Sequence, residues 1–315
     1  SHRQSNFVLG CKMSAMNIDI RSFLLAGMLV LVAACSSSAW SQGEVQRAAD
    51  LGRAGKWTEA KQLLEPVLIS SNYQSSGRAW FVMGFIHKEL HKSQGEFGVD
   101  APERLAAVAC FQRAQQLGLS VSDQQMASEA LDFLSRSYFR EAIGMVEGFT
   151  WGSTNDIIAL FSRYEALELS LNPNKDLAPQ RSDLNRYLGQ AHAMLLDSES
   201  PRTSAESQAI FEAAIGHYRS ALESDPGEYA TQYNLAITLY NEGVRKLKSI
   251  GHETSMFELM EIQDGCVALF EQSLAPMQAA HAQQPGRLET LKGLMTLHYA
   301  LSQKEESDRY RARIE

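Results

Sequence analysis

Apolar and small residues recur along this chain in a helical register, and two stretches carry the same spaced signature. Ala214, Tyr218, Ala221 and Pro226, then nine residues on Leu235, return as Ser273, Met277, Ala280 and Pro285, then Leu294. Small residues at such positions let two antiparallel helices approach closely, and the large ones fill the space to the neighbouring pair. The same pattern opens at Trp80, Met83, Gly84 and His87 and closes at Ala107, Phe111 and Ala114. Leu188, Gly189 and His192 open another motif, closed by Ala214, Tyr218 and Ala221, and Leu134, Ser135 and Tyr138 open one closed by Ile157 and Phe161. Toward the start, Ala48 and Leu51 lead through Gly55 to Trp57, Ala60, Leu64 and Val67; toward the end, Leu294, Met295 and His298 precede a charged helix from Gln303 to Arg313. That last helix lacks the apolar pair of its predecessors and reads as the solubilising cap a stacked array requires.

This register resembles the tetratricopeptide-repeat superfamily, in which W-x2-L-G-x2-Y marks the first helix and A-x3-F the second. The resemblance implies an all-α fold, an α-solenoid (right-handed superhelix) of about six helix pairs over residues 44–314. From the Gly-type to the following Ala-type position the family has twelve residues, as from Ala48 to Ala60, yet Gly84 to Ala107 takes 23, Ser135 to Ile157 takes 22, Gly189 to Ala214 takes 25 and Ala236 to Ser273 takes 37. Every insertion therefore falls between the two helices of a pair, and the extra residues thicken one edge, as loops or longer helices. Gly95–Gly98 and Gly148–Gly152 read as loops, with Ser153 or Thr154 placed to cap the next helix. Asn241 to Ser249 continues the helix of Tyr233 to Tyr240, and Pro276 either kinks its helix or marks a first turn. The spaced fifth pair is similar to exported bacterial tetratricopeptide proteins.

Residues 1–34 read as a short overhang followed by a signal peptide. From Met16 a polar start with Arg21 leads into a twelve-residue apolar run, Phe23 to Ala34. At 1.5 Å per residue that run is too short for a hydrocarbon core of about 30 Å, so it predicts export rather than a membrane span. Two processing sites fit: Val32-Ala33-Ala34-Cys35 resembles a lipobox, with Cys35 as the lipidated residue, and Ala39-Trp40-Ser41 before Gln42 offers the small-x-small pattern. Residues 35–43 form a polar tether. The expected location is the periplasm, either soluble or anchored by lipid to the outer membrane.

Charge narrows the partners. Residues 1–41 hold three bases against one acid, so without them the net charge of −8 becomes −10. Such a surface does not suit phosphate backbones or anionic lipid. Nucleic acid is not expected, and membrane contact is expected only through the possible anchor. Cys11, Cys35, Cys110 and Cys266 form no CxxC pair, and Cys110 beside Phe111 reads as a small buried hydrophobe. His87 and His91 share a helix face four residues apart, but His87 occupies the packing position that His192 and His298 also fill, which favours a core role for all three. No nucleophile, phosphate-binding or metalloprotease motif occurs. The expectation is a non-enzymatic scaffold without metal or cofactor.

The binding candidates are first-helix positions that face inward in such an array: Phe81, Phe85 and Lys88; Asp132, Arg136 and Arg140; Arg186 and Gln190; Tyr233, Ile237 and Asn241; and Lys292 and Thr296. Arg136, Arg140 and Arg186 could grip a peptide carboxylate in fork geometry, although Asp132 to Arg136 also has the spacing of an intrahelical ion pair. The partner so implied is a protein or extended peptide. An alternative is a small ligand or glycan held on the thickened edge by Phe97, Phe149 and Trp151.

Overall fold

The computed structural model describes residues 43–70, 73–95, 97–198 and 202–315; Cys35 and the export signal lie outside them. All regular structure among the described residues is helical, and the helices pack in consecutive pairs. In chain order they are α1 (43–53), α2 (Trp57–Leu68), α3 (Gly77–Gln94), α4 (Pro102–Leu117), α5 (Val121–Glu147), α6 (Thr154–Leu171), α7 (Ala178–Asp197), α8 (Ser204–Ser224), α9 (Tyr229–Lys248), α10 (Met256–Gln283), α11 (Leu288–Ala300) and α12 (Lys304–Arg311). These are the six pairs of the sequence register, closing cap included. The chain forms two compact units, one reaching Gln94 and taking in Leu105–Ala127, the other comprising Gly95–Arg104 and Ser128–Glu315.

In the first unit Gly55, at φ +76°, makes the tight turn between α1 and α2. Ala48, Ala60 and Leu64 are fully buried across that pair. On α3, Gly84 faces Phe111 so closely that a Cβ there would lie 2.9 Å from the ring. His87 and His91 are buried with Met83, Ile86 and Leu90, which for His87 is the core role read from its register. Cys110 is buried as well, and burial pushes its thiol up to about 12.

The second unit repeats the close approach along its length. A Cβ at Gly189 would lie 2.7 Å from Tyr218, one at Gly243 2.6 Å from Phe270, and one at Gly293 2.6 Å from Met277. Buried hydroxyls tie the same helices together: Ser182 donates to the Ala221 carbonyl at 3.1 Å and Ser273 to that of Ala236 at 2.7 Å. In the third pair the Gly-type position is Ser135, whose buried hydroxyl donates to the buried carboxylate of Glu168, which also holds Lys175.

The insertions take both expected forms. The fifth pair is lengthened by helix: α9 continues to Lys248, α10 has 28 residues, and Pro276 lies well inside it rather than in its first turn. Ser255 and Glu258 close a capping box at its start, as Thr203 and Glu206 do for α8. The insertion before α4 is partly loop, and a buried charge holds it. Arg104, 1% exposed, pairs with Glu141 at 2.8 Å, donates to the Gly98 carbonyl at 2.6 Å and lies 3.8 Å over the Tyr138 ring. Glu141 accepts the Gly98 N–H, so both polar groups of that glycine, at φ +102°, are clamped. The insertion after α5 is loop followed by a 3₁₀ turn, Trp151–Ser153; the Ser153 hydroxyl turns back to accept from the Thr150 N–H at 3.1 Å instead of capping α6.

Two glycines separate packing from propensity. Gly189→Ala should destabilise the second unit by about 1–3 kcal/mol, because the methyl drives into Tyr218. Gly216→Ala on α8, where a Cβ meets nothing within 4 Å, should stabilise it by about 0.4–1 kcal/mol. Urea unfolding of both variants checks this; equal effects would remove the close approach as a constraint.

Candidate binding groove

Three hollows open between first helices of consecutive pairs, the helices that carry the sequence candidates. In the first unit, between α1 and α3, a hollow of about 200 Å³ is lined by Trp57, Phe81, Phe85, Arg53 and Arg78, with Met126 beside them. Phe81 is itself buried: its ring meets Phe85 at 5.0 Å and Phe111 at 6.2 Å, and the Arg78 guanidinium lies 5.1 Å above it. Its expected place on an open inner face is corrected to the floor of the hollow, where aromatic edge-to-face packing holds it. Lys88 pairs with Glu89 at 2.6 Å and sits 5.1 Å over Phe85.

The second unit carries two. Between α9 and α11 the register brings together Tyr233, Ile237, Lys292 and Thr296, with Tyr240 and Glu289, around about 270 Å³. Asn241 is half-buried on α9 and is not part of that lining. Between α5 and α7 lies a hollow of about 570 Å³. Its α5 wall is Ile143, Val146 and Glu147, continued by Phe149 in the inserted loop; its α7 wall is Tyr187, Gln190, Ala191, Met194, Leu195 and Ser198, spaced three and four apart on one face. Gln190 was legible as an inward position. Ile143, Val146, Tyr187 and Met194 were not, although they follow from continuing the same stripe by one turn.

The arginines singled out in the sequence are engaged within the chain. Arg136 is exposed and ion-paired to Asp132, the local pair its spacing allowed. Arg186 donates to Asp183 at 2.8 Å and lies 4.2 Å over the Tyr187 ring. Arg140 is exposed, 5.8 Å over Phe133. The edge aromatics also part company: Phe97 is exposed and is not in the groove lining, whereas Phe149 and Trp151 both pack on the His192 ring, at 4.7 and 5.4 Å.

His192 therefore supports the groove's Phe149 from behind. It is fully buried; Nδ1–H donates to the Leu188 carbonyl at 2.7 Å, leaving Nε2 to accept from the Thr154 hydroxyl at 3.3 Å. His217 stacks against it at 5.2 Å and donates Nδ1–H to Asn185 Oδ1 at 2.9 Å. Burial lowers the pKa of both rings, against the pull of the Leu188 carbonyl on His192; for His217, burial and then the neighbouring His192 bring it down to about 4.

No family model matches the sequence, and no curated protein matches it. Among solved structures, the chain is similar to the S. pombe nuclear import adaptor Nro1, at 10% identity over 88% of this chain and 90% of that one, with a TM-score of 0.33. A second structure of Nro1, the hypoxic regulator of sterol synthesis, aligns at 11% identity over 90% of this chain and 87% of that one, again with a TM-score of 0.33. The human IFIT1 dimer with PPP-AAAA aligns at 12% identity over 82% and 68%, with a TM-score of 0.23.

The paired imidazoles make stability fall in acid. With folded pKa values below the unfolded value of about 6.5, the folded chain binds fewer protons in acid, so the contribution of both rings is complete above pH 6.5 and falls away below it, that of His217 being lost as pH drops through about 4. Proton NMR titration should place the His217 midpoint near 4; a midpoint near 6.5 would remove the buried pair from the account.

Proposed function

We propose that this chain is a non-catalytic scaffold of the bacterial cell envelope that holds an apolar segment of another protein in the α5/α7 groove. The groove itself carries the reading. Its walls present Ile143, Val146, Phe149, Met194 and Leu195, while Glu147, Gln190 and Ser198 supply the few polar groups that fix orientation. Its one charged lining residue is Glu147, in a chain of net charge −8, so the fitting segment is apolar in the middle and basic or neutral at its flank. The export reading of residues 16–41 supplies the location, with Cys35 as the alternative lipid anchor.

The hydroxyls that meet a base or an acid support packing rather than chemistry. Ser135 and Glu168 are buried between α5 and α6, and the His192 ring that receives Thr154 is closed to solvent. The glycan alternative gains little from the edge aromatics. Phe149 and Trp151 give ring area to His192, and Phe97 is outside the groove lining.

Met194 is exposed on the groove wall, so Met194→Glu should leave folding intact and place a second carboxylate beside Glu147. Peptides selected against the wild-type chain should be apolar in sequence and should bind the variant at least about tenfold more weakly, a difference of about 1.4 kcal/mol. Unchanged affinity with an unchanged unfolding midpoint would sink the groove reading.

A further inference from the structure

The long helix α10 carries an unfinished packing seam. Met256, Met260, Gln263, Val267, Phe270, Leu274 and Met277 follow one another in alternating steps of four and three, the spacing by which one helix lies along another. The second half of that seam is in the core, where Phe270 and Met277 are buried and Leu274 packs beside them. The first half is not: Met256 is 73% exposed, Met260 57% and Val267 44%, and Phe257 beside them is 78% exposed.

The partner helix does not reach far enough to cover the start of it. Cys266 Sγ donates to the Gly243 carbonyl at 3.2 Å, which sets the two helices level at that point. From there α10 runs ten residues back to Met256 while α9 has five left before its end at Lys248, so α10 overhangs by about 7.5 Å. The side of α10 that packs inward is that of Ile262 and Cys266. At 100° per residue, Met256, Met260 and Val267 fall within about 40° of one another; Asp264 lies about 40° beyond Met260 and Glu261 about 100° beyond it, with Phe257 between those two acids and Glu258 farther round the helix.

Those three acids are exposed, and no Lys or Arg occurs between Lys248 and Arg287. Glu258 accepts the Ser255 N–H, which lowers its pKa and keeps it ionised. The nearby bases of α9 are drawn elsewhere, Arg245 to Glu242 and Asp197 and Lys246 toward Glu242 at 3.9 Å.

We propose that the exposed half of the α10 seam docks a basic amphipathic helix of a partner protein. The partner's apolar face lies on Met256, Phe257, Met260 and Val267, and its Lys or Arg residues meet Asp264 and Glu261. Flexible methionines adapt to more than one apolar face, and the one-sided acidic border selects the sign of the partner. The same border opposes two other occupants: a second copy would bring acid against acid, and an anionic membrane would be repelled. This surface is independent of the α5/α7 groove.

The test is fluorescence anisotropy of the full chain with three labelled peptides: a Leu/Lys amphipathic helix, its Leu/Glu counterpart, and a scramble of the first with the same charge. The Leu/Lys helix should bind, more weakly at high salt. Phe257→Ser with Met260→Ser should weaken it at least about tenfold, and Glu261→Lys with Asp264→Lys should do the same and favour the Leu/Glu peptide. Circular dichroism should show the helices intact in both, and Met194→Glu should have no effect. Equal binding of the scramble, indifference to the α10 substitutions, or loss only in Met194→Glu would overturn the proposal. So would self-association, or anionic-vesicle binding, that the α10 substitutions abolish.

Discussion

Successive helices in this protein approach until one backbone rests on an aromatic or thioether side chain of the other. At Gly84, Gly189, Gly243 and Gly293 the space a Cβ would need is taken by Phe111, Tyr218, Phe270 and Met277. Because interiors are packed at crystal density, the contact leaves no slack for a methyl group, and the neighbouring side chains inherit their positions from it. His192 follows Gly189 by three residues on α7 and meets His217, the neighbour of Tyr218, on α8; Phe149 in turn lies on His192. A wall of the α5/α7 groove is thus traceable to a missing side chain. The lengthened fifth pair uses the same device, Gly243 against Phe270, two turns beyond the Ala236–Ser273 contact, so α9 and α10 stay packed along their added length.

Charge does the complementary work where the chain leaves its helices. Arg104 and Glu141 are taken out of water at a cost of several kcal/mol per ion, which their mutual attraction and the hydrogen bonds to Gly98 offset. What they add is specificity: together they hold the N–H and the C=O of Gly98, so that an inserted loop has one conformation against α5. Ser135, Glu168 and Lys175 do likewise between α5 and the turn after α6. Where other pairs of this chain have glycine and the third has Ser135, the hydroxyl needs an acceptor, and Glu168 provides it.

Much of the fold was legible because its determinants are local and periodic. Gly189 and Tyr218, or Ala236 and Ser273, announce a helix pair by spacing alone, and the inward register placed Phe81, Phe85, Gln190, Tyr233, Ile237, Lys292 and Thr296 at hollows. The rest depends on partners distant in sequence. Arg104 reads as an ordinary helical arginine until Glu141 and Tyr138 are brought to it. Arg136 and Arg186 fail as free donors for a nearer reason: Asp132 and Asp183, four and three residues away, hold them, and only the first of these pairs was legible in the spacing. The α10 stripe was hidden by its regularity, since a heptad seam looks the same whether its partner is present or absent.

The two described cysteines, Cys110 and Cys266, are both buried, and burial raises the pKa of each thiol. Disulfide exchange proceeds through the thiolate, which such sites suppress, so in the folded units these two thiols are slow to exchange. For these two thiols, vulnerability to oxidation is confined to the interval before each unit closes, when both sulfurs are in water. The rate at which α4 and α10 find their neighbours, rather than any reductant, is then what keeps these thiols unpaired.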